Sequence, residues 1–68
     1  MPYVNVQITK ESETRPEMKA RVIRGITDVL AEVLGKDPAS TFIVIDEVDT
    51  DNWGFRGESV TTLRSREE

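Results

Sequence analysis

Cysteine and histidine are both absent from this chain of 68 residues. Without cysteine no disulfide can form, and without either residue the usual zinc ligand sets are excluded. Nucleophile and base pairs built on cysteine or histidine are excluded as well. A domain of this length has a thin hydrophobic core and commonly needs a disulfide, a metal or self-association for stability. Self-association is the remaining source of stability, and we expect it.

Clustered positive charge and long apolar runs are also missing. The formal net charge is −4, whereas nucleic-acid binding depends largely on clustered lysine and arginine. No segment approaches the roughly 20 apolar residues of a membrane span. The N-terminus lacks the basic and then apolar pattern of a secretory signal. We therefore expect a soluble, cytoplasmic protein with neither nucleic acid nor a membrane as a partner.

Two segments are predicted to be strands, and they differ in kind. Residues 3–9 alternate, with apolar side chains on one face only, as in a half-buried strand. The later segment TFIVIDEV, from Thr41 to Val48, begins with an apolar run that does not alternate, which is typical of a strand covered on both faces. One helix covers only one face of a small sheet. The other face is therefore expected to lie against a second subunit.

An amphipathic helix is predicted between these strands. Thr14 and Glu17 have the spacing of a capping box, and Pro16 suits a first helical turn, so the helix should begin near Arg15. Apolar residues then recur at three- and four-residue steps: Val22, Ile23, Ile26, Val29, Leu30, Val33 and Leu34. Gly35 is placed just after the C-cap and ends the helix.

Strand, helix and strand in this order form a βαβ unit, whose crossover is almost always right-handed and makes the two strands parallel. Further on, two glycines flank Phe55 and Arg56, the signature of a turn or short hairpin. The chain is predicted to be a single domain over residues 1–68, with residues 64–68 as a frayed tail. The fold class is α+β: a β-α-β unit with one amphipathic helix and a short C-terminal hairpin, assembled into an oligomer.

Acidic residues cluster at the end of the second strand. A site for a hard cation is one interpretation, but the spacing does not follow a known calcium loop. Exposed carboxylates at a strand end are the commoner arrangement, so we expect no metal. The residues concerned are Asp46, Glu47, Asp49 and Asp51.

The better candidate for chemistry is Pro2. It is either a proline tolerated at a strand start or, once Met1 is removed, an N-terminal secondary amine. An α-amino group has an ordinary pKa of roughly 7.7 to 8.0, and burial or nearby cations lower it further. Such an amine suits a general base at neutral pH in a chain that lacks histidine.

The order of elements resembles a known family. Met-Pro is followed by a strand, an amphipathic helix, a buried strand and an aromatic-glycine hairpin, WGFRGE at residues 53–58. This combination resembles 4-oxalocrotonate tautomerase and its small relatives over nearly the whole chain. The resemblance implies a homohexamer, a trimer of dimers, with no cofactor. It implies an isomerase that moves a proton between enol and keto forms of a 2-hydroxy-dienoate such as 2-hydroxymuconate, or of a 2-oxo acid.

The resemblance also assigns roles to residues. Pro2 matches the catalytic base, and Trp53 falls where the family has a pocket phenylalanine, although a hairpin tryptophan can equally fill a subunit contact. Phe42 replaces a substrate-binding arginine, and phenylalanine cannot form the paired hydrogen bonds that guanidinium makes with a carboxylate. A monocarboxylate or an aromatic enol such as phenylenolpyruvate therefore fits more easily than the family's dicarboxylate.

Two arginines are candidates for binding the substrate's carboxylate. Arg15 lies nearest to an arginine that the family has in a loop, which is slightly longer here. Arg56 lies where relatives often have glycine, on the hairpin that borders the family's pocket. Each has a structural alternative, since an exposed arginine in a first helical turn or at a turn is common. Both candidates stay open.

Other functions are compatible with the same residues. A tautomerase-like oligomer that has lost its chemistry can serve as a binding or structural module, and Phe42 supports that alternative. If Met1 is retained, the Pro2 nitrogen is a tertiary amide with no usable basicity. A hydratase, dehalogenase or decarboxylase of the superfamily is a further alternative, but it needs extra partners that activate water.

Overall fold

The computed structural model describes residues 1–67 and contains the predicted β-α-β unit, followed by a hairpin and a second helix. Its strands and helices are β1 (Tyr3–Thr9), α1 (Pro16–Leu34), β2 (Phe42–Val48), β3 (Gly54–Phe55), β4 (Glu58–Ser59) and α2 (Val60–Glu67). Short 3₁₀ turns lie before and after β2, at Pro38–Ser40 and Thr50–Asn52. The predicted α+β architecture is confirmed.

Strands β1 and β2 are parallel and pair in register along their whole length, from Tyr3 opposite Phe42 to Thr9 opposite Val48. One further hydrogen bond extends the pairing at each end, from the Phe42 N–H to the Pro2 carbonyl (2.9 Å) and from the Lys10 N–H to the Val48 carbonyl (2.7 Å). Parallel neighbours need a crossover connection, which α1 supplies.

Helix α1 begins one residue later than the capping-box spacing predicts. Arg15 is the N-cap residue, with extended backbone angles and no side-chain hydrogen bond to the helix, so the predicted Thr14 box is not formed. The reason is Pro16, because the residue before a proline is held out of the helical conformation. The Glu17 carboxylate instead forms an ion pair with the Arg15 guanidinium. At the other end, Gly35 adopts φ 66° and closes the helix as predicted.

The helix covers one face of the two-stranded sheet. Along β1 the apolar side chains are half-buried and the alternate ones are exposed, as the alternation predicts. Along β2, Ile43 and Ile45 are half-buried, whereas Phe42 and Val44 are exposed. The second face of β2, which the apolar run predicts to be covered, is therefore open in a single chain.

The chain alone has little core. Among the described side chains only Val60, at 8% exposure, is buried. The chain exposes 5294 Å², whereas a compact monomer of this mass exposes about 4,300 Å². Its radius of gyration is 15.5 Å, against about 11 Å for a compact domain of this length. An extended shape with so much apolar surface has the form of a subunit rather than of an independent monomer.

The described C-terminal segment is helical. Residues 64–67, which the sequence analysis places in a frayed tail together with Glu68, belong to helix α2, and Glu68 lies outside the described residues. Ser59 caps the helix through its hydroxyl oxygen, which accepts the Thr62 N–H at 3.1 Å. The Arg64 guanidinium donates to both oxygens of the Glu11 carboxylate, at 2.8 and 2.7 Å. This bidentate ion pair ties α2 to the loop after β1.

The ion pair makes stability depend on pH. Hydrogen bonds from Arg64 and then from Thr9 lower the pKa of Glu11 from 4.5 to about 2. A lowered folded-state pKa stabilises the fold above the unfolded value of 4.5, and this contribution is lost as the pH falls towards 2. We expect the free energy of unfolding of Glu11→Gln to fall less between these pH values than that of the wild type, in denaturant titrations.

Glu13→Gln is the matched control, because Glu13 is an exposed neighbour whose carboxylate accepts only a long hydrogen bond, from Ser12 at 3.4 Å. This variant should keep the pH dependence of the wild type. Identical acid dependence in the wild type and Glu11→Gln would contradict the role of the Glu11–Arg64 pair.

Candidate functional site

Pro2 and Phe42 lie side by side where the sheet begins. The Pro2 carbonyl accepts the Phe42 N–H, and the Pro2 nitrogen has no hydrogen to give to the ladder. Pro2 is half-buried, Phe42 is 52% exposed and Met1 is 89% exposed. Removal of Met1 would therefore leave a secondary amine at the edge of an apolar surface.

The other predicted site residues lie at the opposite end of the sheet. Arg15 starts the helix that follows β1, and the hairpin with Trp53 and Arg56 follows β2. Both strands run the same way and have seven residues each, so their two ends are about 20 Å apart. One chain does not bring Pro2 together with Arg15, Trp53 or Arg56.

The hairpin is closed by a two-residue turn. Gly54 pairs with Ser59 and Phe55 with Glu58, leaving Arg56 and Gly57 at the tip. Both tip residues have positive φ, 57° and 78°, the arrangement of a type I′ turn. Glycine, asparagine and aspartate are the usual residues there, and arginine is not.

An aromatic pair accompanies the arginine. Trp53 and Phe55 lie two residues apart in extended backbone and so face the same side of the hairpin. Trp53 is half-buried, Phe55 is 52% exposed, and the Arg56 guanidinium carbon lies 5.7 Å from the centre of the Phe55 ring. Sequence reasoning missed Phe55, although its spacing from Trp53 was the available signal. An aromatic ring beside a cation suits a flat organic anion, because the ring packs against the flat part and the cation attracts the charge.

The two candidate arginines differ in their surroundings. The Arg15 Nε lies 2.7 Å from the Glu17 carboxylate, and both side chains are largely exposed. Exposed pairs of this kind contribute little free energy, about 0–1 kcal/mol, yet Glu17 competes with any other anion for Arg15. Among the described side chains, Arg56 has no acidic partner.

The four acidic residues near the end of β2 each have a partner within the chain. Asp46 accepts a hydrogen bond from Asn5, and Glu47 forms an ion pair with Lys19 on α1. Asp49 and Asp51 each support the turn between β2 and the hairpin. Among the side chains that the structure describes, no group of three or more carboxylates converges on one point.

The chain is similar to known proteins in both sequence and fold. Residues 2–63 match the family described as Tautomerase enzyme. Probable tautomerase K2 of Dickeya dadantii (strain 3937) is 53% identical over 66 residues, covering 97% of each chain. The crystal structure of DmpI from Helicobacter pylori is 40% identical with a TM-score of 0.85, over 94% of this chain and 97% of that one. A 4-oxalocrotonate tautomerase isozyme from Methylibium petroleiphilum is 26% identical with a TM-score of 0.80, over 91% and 97%.

The hairpin turn yields a stability prediction. Arg56 holds a left-handed conformation that is unfavourable for a residue with a side chain, so Arg56→Gly should raise the free energy of unfolding by about 1 kcal/mol. Gly57→Ala is the matched control, in which the change of residue type is reversed. An added methyl group contacts no atom within 4 Å there. The free energy of unfolding should therefore fall by about 1 kcal/mol, because alanine is unfavourable at positive φ. Thermal or denaturant unfolding measures both, and a destabilised Arg56→Gly would contradict this account of the turn.

Proposed function

The chain belongs to the tautomerase family, and on that premise we propose that it interconverts enol and keto forms of a 2-hydroxy-dienoate or 2-oxo acid. The general base is the N-terminal amine of Pro2 after removal of Met1. The observation that carries the proposal is the position of Pro2, which lies at the start of the sheet with its nitrogen outside the ladder, beside the apolar Phe42.

The reaction needs one group that first takes and then returns a proton. The neutral Pro2 amine accepts the enol O–H proton, and the released electron pair forms the carbonyl. The electrons of the carbon–carbon double bond then take the proton back from the ammonium at carbon. No oxidant or cofactor enters this balance. Apolar neighbours such as Phe42 and Trp53 favour the neutral amine, because desolvation penalises the ammonium.

The site needs more than one chain. Pro2 and Phe42 contribute from one end of the sheet, and Trp53 with one of the two arginines contributes from the other end of a neighbouring copy. The open face of β2 and the large exposed apolar surface support this assembly. We propose a homohexamer built as a trimer of dimers, the arrangement that the sequence resemblance implies.

Substitution of Pro2 tests the chemistry. Intact mass should first show that Met1 is lost. Pro2→Ala should then slow ketonisation of phenylenolpyruvate and 2-hydroxymuconate by about 10-fold or more, because a primary amine without the ring that fixes its position replaces the secondary amine that acts as general base. The reaction is followed by ultraviolet absorbance at equal protein concentrations.

Pro38→Ala is the matched control, since it removes a proline from the turn before β2 and leaves the N-terminal amine intact. Its rate should stay close to that of the wild type. Equal rates for the wild type and Pro2→Ala would contradict the proposed base. No activity with either enol would instead favour the alternative of a non-catalytic module, to which the apolar Phe42 already points.

Mixing two variants tests the shared site. Pro2→Ala and Trp53→Ala chains, unfolded together and refolded, should recover activity that neither has alone. If each site takes its proline and its hairpin from different chains, random assembly leaves about a quarter of the sites with both wild-type parts. If one chain supplied both parts, no mixed site would be complete. Absence of recovery in verified mixed oligomers would contradict the two-chain site.

A further inference from the structure

We propose that Arg56 binds the carboxylate of the substrate and that the site selects anions carrying a single carboxylate. This inference rests on the proposed tautomerase function and decides between the two arginines that the sequence leaves open. It comes from the hairpin tip, where the Arg56 backbone, its charge and the neighbouring rings act together.

The backbone of Arg56 is the first step. Its φ of 57° is a conformation that glycine adopts freely and that is unfavourable for a residue with a Cβ atom. The arginine gains no ion pair in return from the described side chains, and it is exposed. Its contact is with the Phe55 ring, 5.7 Å away. An unfavourable backbone conformation that no ion pair with a described side chain offsets points to a functional role.

The charges around the hairpin are the second step. Glu58, the acidic residue of the hairpin, forms an ion pair with the Arg66 guanidinium. Asp51 accepts the Thr61 hydroxyl. Among the described side chains, therefore, no carboxylate pairs with the positive charge of Arg56. Arg15, in contrast, already faces the Glu17 carboxylate at 2.7 Å, which a substrate would have to displace.

The aromatic side chains of the proposed site limit how many carboxylates a bound substrate can carry. The Phe55 ring lies beside the Arg56 guanidinium on one copy, and Trp53 is two residues from Phe55 in extended backbone. Phe42 lies beside Pro2 on the other copy. A second carboxylate would be placed against these rings without a cation, and an unpaired buried charge is costly. One cation among three rings selects a flat conjugated acid with a single carboxylate and an apolar remainder.

The single tryptophan of the chain reports binding directly. Because Trp53 belongs to the proposed site, its fluorescence should change when trans-cinnamate binds, whether or not catalysis occurs. Cinnamamide, the neutral isostere, should bind more weakly to the wild type. Arg56→Gly should weaken cinnamate binding about 10- to 100-fold, the usual range for a charge-assisted contact, and leave cinnamamide unchanged. Arg56→Lys should restore part of the preference.

Arg24→Gln removes one exposed positive charge from α1 and is the charge-matched control. It should keep the cinnamate affinity of the wild type. The proposal is overturned if the wild type does not prefer cinnamate, if Arg56→Gly keeps the preference, or if Arg15→Gln abolishes it. Pro2→Ala should still bind cinnamate. Failure of the proposed catalysis, read from the Pro2→Ala rates, is therefore distinguishable from failure at Arg56.

Discussion

The parallel pairing of β1 with β2 is the constraint on which the rest of the structure depends. Parallel strands cannot be joined by a tight turn, so the chain must return through a helix, and α1 fills that connection. The same pairing places both strand starts at one end and both strand ends at the other. Pro2 is thereby separated from the hairpin that follows β2. A single chain of this design therefore keeps the predicted site residues apart, and the site that we propose needs a second copy.

Stability and function consequently have the same requirement. A single helix on two strands leaves the second sheet face uncovered, and within the described part of the chain only Val60 is buried. Association covers the apolar surface that a 68-residue chain cannot bury by itself. In the assembly that we propose, it also brings the N-terminal end of one copy towards the hairpin of another. Weakening the interface therefore removes core and site together, and loss of activity on dilution would not by itself identify a catalytic residue.

Apolar patterns in the sequence were enough for three elements. An alternation predicted β1, a repeat of three- and four-residue steps predicted α1, and a continuous apolar run predicted β2. Features that depend on distant partners were not predictable. The sequence of α2 is typical of a charged tail. The helix was not predicted because Arg64 pairs with Glu11, which lies 53 positions earlier. The capping box failed because Pro16 restricts the residue before it. The left-handed backbone of Arg56 and its contact with Phe55 follow from the turn geometry, which glycine spacing alone does not determine.

At the hairpin tip an arginine occupies a backbone conformation that favours glycine, and this mismatch allows an effect on binding to be distinguished from an effect on stability. A type I′ turn is best served by glycine or asparagine at its first central position, and this chain has arginine there. If the side chain served only the fold, removing it would cost stability, because whatever contact it made would be lost. If it serves binding, removing it relaxes the backbone and weakens the attraction for an anion. Opposite signs for stability and anion affinity at one position therefore distinguish a cation kept for recognition from one kept for folding.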